Sequence, residues 1–421
     1  MKARTDPLPS SPTPPALART AAGPKEGVLT GRRRIGTWAV AGAFWSVTAG
    51  TTVPTPLYPL YERAFGFSPL AVTVAFAVYA LAVVVGLLTL GGLSDRHGRR
   101  PVAATALLTA LAATAVFLLA ENLTALLIGR VLSGLAAALI TGTATAHLTE
   151  LASTGSRLRA GRLALIANMG GLACGPLLAA LLADTTRWPL RAAWAVTATL
   201  LLAALAALVV VPETVTPRER GTGPAFRAPR VSTVIRTEFW RAALAAGAGF
   251  AVLGVLTAVT GLFLAEVAHI HSLLATAATV SLAFACTGTG QLLAGRLDRA
   301  ALPMACTGLV VAAALIAAAV ATASLLPLLG AALMVGLATG VAVGHGITLI
   351  GTRTPPETRS RTVSAFFAVL YTMLALPAVG VGALIDAVGL RTAATVFAAV
   401  VAALAATILL TQRVSATRND P

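Results

Sequence analysis

Four charges crowd into GGLSDRHGRRP (91–101): Asp95 lies beside Arg96 and close to Arg99 and Arg100. A carboxylate at this spacing pairs with a neighbouring guanidinium or with the positive N-terminus of another helix. Gly98 allows the tight turn that two antiparallel helices need. The plainer alternative is a basic loop that only orients the chain. Arg130, in LLIGRVLSGLAAA (126–138), poses a different problem, because it stands alone in a long apolar run. A guanidinium inside a bilayer needs a partner or water. Gly134 follows at i+4 and shares its helical face. Arg130 therefore either takes part in function or reaches along the helix towards the surface near Glu121 and Asn122.

Further along, GGLACGPLLAA (170–180) combines Gly171, Gly175 and Pro176. Proline removes a backbone hydrogen bond and kinks a helix, and glycines let a neighbouring helix approach closely. The alternative is a generic packing face of small residues. Pro54, Pro56 and Pro59 in TTVPTPLYPLY (51–61) break regular helix near the end of the first apolar run. Titratable groups inside the runs are few. His345 is able to change charge near neutral pH or to serve as a bonded core residue. Asn168 and Gln291 either face a cavity or bridge helices. Glu62, Glu121 and Glu266 fall near run ends, and Glu150 sits near Arg157 and Arg159 as a structural acid. Cys174, Cys286 and Cys306 lie in apolar runs without a CxxC or Cys/His cluster, so neither a disulfide framework nor a metal site is expected, and no cofactor.

The elements that must position these residues are membrane helices. Of 421 residues, 57% are hydrophobic and 11% charged, too few charges to cover a water-facing surface. Spans of roughly 20 apolar residues are expected near 37–60, 70–93, 101–120, 123–149, 160–183, 191–211, 241–265, 272–294, 301–322, 325–350, 362–385 and 391–411. The net charge of +16 does not point to nucleic acid, because the basic residues fall in short blocks between the runs. With the N-terminus in the cytoplasm, inner segments hold 26 of the 31 Lys and Arg residues, as the positive-inside rule requires. This arrangement divides the chain into a disordered tail (1–35), a six-helix bundle (36–211), a proline-rich cytoplasmic linker (212–240), a second six-helix bundle (241–411) and a short tail (412–421). The second run ends GGLSDR and the eighth ends AGRLDR, placing Asp95 and Asp298 203 residues apart as a faint internal repeat.

These motifs carry a family resemblance. Gly91, Leu93, Asp95, Arg96, Gly98, Arg99 and Arg100 match the GxLaDrxGrk loop signature of the major facilitator superfamily position by position. Arg130 and Gly134 resemble its RxxqG signature, with Ser133 where glutamine is common. Gly171, Gly175 and Pro176 resemble the gxxxGPxxGG signature of its drug–proton antiporters, although Ala179 and Ala180 replace the trailing glycines. The resemblance covers roughly residues 36–411 and implies an all-α membrane protein of twelve transmembrane helices in two pseudo-symmetric six-helix bundles. It implies a latch role for the loop cluster, proton coupling for Arg130 and an antiport role for the glycine–proline face; His345, by its own chemistry, is a further proton-coupling candidate. Asn168 and Gln291 become substrate-cavity candidates.

The first span carries no Asp or Glu, a departure from many antiporters that leaves the proton carrier unassigned. No HExxH, Walker loop, GxSxG or paired intramembrane acids support an enzyme, and nothing offers a channel filter. The expected function is proton-coupled efflux of small, largely apolar molecules by alternating access. The alternative is a proton-coupled or facilitative carrier for a metabolite such as a sugar or organic acid. Expected partners are a small-molecule substrate, protons and the lipid bilayer of the inner membrane, for a monomer with both termini cytoplasmic.

Overall fold

The structure is a computed structural model and describes residues 24–152, 156–215 and 235–417. Most of the expected tail, the linker from 216 to 234 and the last four residues lie outside the described residues. The first half comprises α1 (Pro24–Thr52), α2 (Pro54–Phe65), α3 (Pro69–Leu90), α4 (Leu93–His97), α5 (Arg99–Leu118), α6 (Leu123–Leu151), α7 (Arg157–Thr185) and α8 (Ala192–Ala207). The second comprises α9 (Arg236–Glu266), α10 (Leu273–Leu297), α11 (Ala301–Thr322), α12 (Leu325–Arg353), α13 (Pro356–Val388) and α14 (Leu390–Thr417). No strand occurs among the described residues.

Capping residues mark several starts. Asn122 Oδ1 accepts from Ala125 N at 2.9 Å, and Ser272 Oγ accepts from Ala275 N at 3.2 Å. Each supplies an acceptor to the free N–H groups of a first turn. Among the described residues, ten stretches are long and apolar enough to cross a membrane, and one of them, 273–322, contains both α10 and α11. The first helix is not among them, so length and composition alone do not reproduce the expected count of twelve. Two expected boundaries also move. The first helix begins at Pro24, inside the stretch read as tail, and α9 begins at Arg236, inside the stretch read as linker. Helical hydrogen bonding runs on past the hydrocarbon region, where arginines are good helix formers and proline suits a first turn.

The prolines split the first membrane helix. Its inner piece stops at Thr52, Val53 keeps helical angles, and α2 restarts at Pro54. Pro54 and Pro56 lack the N–H groups that Gly50 and Thr52 carbonyls would receive in a continuous helix.

The halves meet along two long seams. On one, α3 packs against α13, with Phe76 and Tyr79 set against Leu374, Ala375 and Ala378. On the other, α7 packs against α10, where Met169 lies over Gly288. Towards the outer end, α2 rests on α9, and Pro59 approaches Gly261 so closely that a Cβ there would lie 3.1 Å from the proline ring. The helices α6 and α12 form no such seam among the described residues. Large apolar side chains such as Leu81, Leu181, Leu202 and Val400 point outward, as lipid requires. Trp188, between the ends of α7 and α8, is also exposed, as suits the level of the bilayer interface.

Candidate functional site

At the cytoplasmic end of the first half, α4 is a single turn ended by Gly98, whose φ of 102° lies in the region that L side chains avoid. The turn directs Arg99 back into the bundle. Arg99 Nη1 contacts Asp95 Oδ1 at 2.5 Å and Ser94 Oγ at 2.7 Å. Its other edge faces Glu150, with Nη2 donating to Oε1 at 2.8 Å and Nε reaching both oxygens at 3.2 Å. Two carboxylates thus share one mostly buried guanidinium. Arg96 and Arg100 are half-buried, and Gly91 is exposed at the end of α3.

Sequence reading missed a third acid here. Glu213 Oε1 accepts from Arg99 N at 2.9 Å and Oε2 from Arg100 N at 3.0 Å, so a carboxylate caps the positive end of α5. The same carboxylate accepts from Thr214 N and Val215 N. Burial pushes the Glu213 carboxyl up, but these four backbone donors together hold it below its usual value. His147 Nε2 lies 3.0 Å from Pro212 O, and since a carbonyl only accepts, that nitrogen carries the proton. The linker's first residues are therefore pinned beneath the loop. No local pattern announces this, because Glu213 is 114 residues from Arg99. Glu150, the structural acid expected beside Arg157 and Arg159, instead pairs with Arg99 and accepts from the Thr214 hydroxyl. All these contacts lie within the first half. Asp298, the repeat counterpart of Asp95, is exposed and has no ion pair among the described residues. In the second half, Arg353 instead pairs with Glu238 at 2.9 Å, joining the inner ends of α12 and α9.

Arg130 turns into the bundle rather than to the surface, with 1% of it exposed. Its Nη1 donates to Thr51 O at 2.9 Å, beside the break between α1 and α2. Its guanidinium carbon lies 5.2 Å from the Tyr58 ring centre, 5.7 Å from Tyr79 and 5.9 Å from Phe117. Aromatic faces attract a cation, so this cage offsets part of the desolvation cost. Behind Phe117, Trp194 stacks at 4.3 Å and donates from Nε1 to Tyr61 Oη at 2.7 Å. Ser133, in the place of the usual glutamine, returns its hydroxyl to Arg130 O. Gly134 lets α6 touch α3: a Cβ there would meet Tyr79 O at 2.5 Å.

Gly171 and Gly175 lie where α7 crosses α1. A Cβ on Gly171 would collide with Thr48 and Trp45, and one on Gly175 with Ala49 and Thr52. Between them, Thr52 Oγ1 donates to Leu172 O at 3.1 Å. This face therefore locks two helices of the same half together, while the opposite side of α7 meets α10. Pro176 is buried within α7. Asn168 and Gln291 are half-buried on the two helices of the α7–α10 seam, each within a turn of the Met169–Gly288 contact. His345 is half-buried on α12, in the second half, and the structure does not bring it to Arg130. No cluster of metal-ligating residues occurs among the described residues.

Comparison with known proteins agrees with this architecture. A bacterial homologue of the human lysosomal transporter Spinster, solved in an inward-facing unoccupied conformation, superposes with a TM-score of 0.74 at 17% identity, covering 91% of this chain and 97% of that one. A putative multidrug resistance protein, MdtD, of Klebsiella pneumoniae (strain 342) is 26% identical over 151 residues, which is 36% of this chain and 32% of that protein. The inner membrane transport protein YnfM of Escherichia coli (strain K12) is 32% identical over 95 residues, 23% of each chain. The matches span less than a third of these relatives' length. The family model of the Major Facilitator Superfamily matches residues 40–376, most of the chain. This multi-pass membrane protein belongs to the Major Facilitator Superfamily.

Proposed function

We propose that this chain is a secondary active transporter that exports small, largely apolar molecules in exchange for protons. In this reading twelve spans form two six-helix bundles: α1 and α2 together make the first span, and the short α4 belongs to a loop. Both termini lie in the cytoplasm of a cell whose inner membrane holds the protein as a monomer. The observation that carries the efflux direction is the α7 face. Gly171 and Gly175 press α7 onto α1, with Pro176 buried next to them in the same helix, and this glycine–proline pattern resembles that of antiporters. The partial likeness to a putative multidrug resistance protein supports the same direction.

Physically, a rigid pair of α1 and α7 gives the first half one shape in both states. The halves then exchange access by rocking along the α3–α13 and α7–α10 seams. The contacts along these seams are mostly apolar, with Phe250 against Tyr371 at 5.7 Å beside the α3–α13 seam and Met169 over Gly288 on the α7–α10 seam. Such walls suit an apolar substrate. Asp95 and its arginine partners serve as the latch: in the arrangement described here they are satisfied within their own half, and they become available to α13 when the inner ends approach.

Inverted vesicles with an imposed pH gradient test the reading. A panel of lipophilic drugs added to energised vesicles should partly collapse the gradient as protons leave the lumen. Uptake that survives an uncoupler, with no collapse for any accumulated compound, would replace exchange by facilitated diffusion.

A further inference from the structure

Arg130 is the least satisfied charge in the described structure. Its Nη1 has one acceptor, while Nε and Nη2 have none, and all three are shut away from solvent. No acid pairs with it among the described residues. A guanidinium does not shed its charge in a protein, so burial cannot be relieved by deprotonation. A buried cation without a counter-charge is costly to maintain.

The two free nitrogens are informative. They share one edge of the planar group, the edge whose N–H bonds run parallel and fit both oxygens of a carboxylate. The buried Tyr58 hydroxyl lies close enough to the guanidinium to interact with it but makes no hydrogen bond of good geometry. Tyr58 connects the site to the interface. One side of its ring faces Arg130, and the residue lines a cavity between the halves together with Thr55, Thr73 and Ala258. A second small cavity beside Arg130 is lined by Thr51, Thr114, Phe117 and Ser133. The acid lining the first cavity, Glu62, stands one helical turn beyond Tyr58, towards the outer rim. Arg130 itself lies about 10 Å below the outer end of α6.

We propose that the Nε–Nη2 edge of Arg130, with the Tyr58 hydroxyl, is an anion subsite that takes the carboxylate of an otherwise apolar substrate. The substrate class is thereby an amphiphilic monoacid, its apolar body against the walls of the interface and its single negative charge at Arg130. This rests on the transporter reading only for the identity of the ligand as cargo; the anion site is a property of the chain at equilibrium. A free planar oxyanion offers the same chemistry, and the experiment separates the two sources.

The full chain, purified in detergent without a pH gradient, is melted while tryptophan fluorescence is followed. Benzoate, its neutral analogue benzamide and inorganic nitrate are titrated at constant ionic strength, and apparent affinities come from the rise in melting temperature. Benzoate should stabilise and benzamide should not. Arg130→Lys keeps the charge but not the edge, and should weaken benzoate about tenfold to a hundredfold. Tyr58→Phe should weaken it less. If nitrate stabilises as well as benzoate and both responses are lost in Arg130→Lys, the site holds a free anion and the cargo assignment falls. If no anion stabilises, or if Arg130→Lys and Arg130→Gln respond like the parent, the free edge holds water only and the proposal is overturned. Because no transport is measured, a failed vesicle assay leaves this result readable.

Discussion

Replacing Gly98 by alanine tests the loop cluster where its geometry is most demanding. The backbone at this position has φ 102° and ψ 157°, a region used essentially by glycine. Holding alanine there costs about 1–3 kcal/mol. The new methyl carbon would also lie 2.7 Å from Glu213 Oε2, so the carboxylate must swing away from Arg100 N. A hydrogen bond to a charged acceptor contributes about 1.5–3 kcal/mol when shielded, and because Glu213 is exposed, solvent screening reduces this one to about 1 kcal/mol. The sum is about 2–4 kcal/mol. Reversible unfolding of purified protein in mixed micelles gives the total. A double-mutant cycle with Glu213→Gln separates the parts, since the strain persists in either background while the carboxylate term shrinks. A Gly98→Ala cost below about 0.5 kcal/mol, the range of ordinary surface changes, would refute the reasoning. An identical cost in both backgrounds would show that the methyl–carboxylate clash is not felt.

Four other outcomes are expected. Asp95→Asn should reach the membrane in normal amount yet transport poorly in vesicles, because the latch loses its charge while Arg99 keeps Glu150. Arg130→Met should abolish transport but leave the melting temperature unchanged or higher, by about 1–3 kcal/mol of stability, since it removes a buried charge with unpaired donors. Gly175→Leu should lose about 3 kcal/mol or more by forcing α7 off Ala49 and Thr52, seen as a lower unfolding midpoint and no substrate–proton exchange. Stabilisation by Glu213 should be present above the unfolded-state pKa, near 4.3, and be lost as pH falls through its lower folded value; unfolding of the parent and of Glu213→Gln across that window checks the sign.

The helices were legible because bilayer crossing demands a long apolar run, and that demand is local in sequence. The loop cluster and the α7 glycines were legible for a similar reason: a turn between antiparallel helices and a close crossing each require particular residue types at short spacing. Contacts between distant segments were not. Glu213 caps α5 from the far side of three helices, and its neighbours in sequence give no hint of that. Arg130 stood out as an isolated charge, but only coordinates show that its partner is the carbonyl of Thr51 and that aromatic rings enclose it. Asn168 and Gln291 were singled out for polarity alone. Their shared place on one seam follows from how α7 and α10 cross, which neither helix encodes by itself. The first span escapes a hydropathy criterion because Thr, Ser and Gly dilute it, and two of those residues, Thr48 and Thr52, lie where α7 crosses it.

The pinning of Pro212 and Glu213 has a mechanical consequence. A cord joining two moving bodies normally tugs on the end of the last rod to which it is tied. Here the cord is clamped after leaving α8, at His147 by one carbonyl and at the start of α5 by one carboxylate. Any tension arriving from beyond residue 215 is therefore delivered to the backbone of Arg99 and Arg100, not to α8. Those residues adjoin the turn that holds Asp95. A pull on the chain at Val215 is in this way passed to the charge cluster through the Glu213 carboxylate and the α5 backbone, without a side-chain contact between the halves.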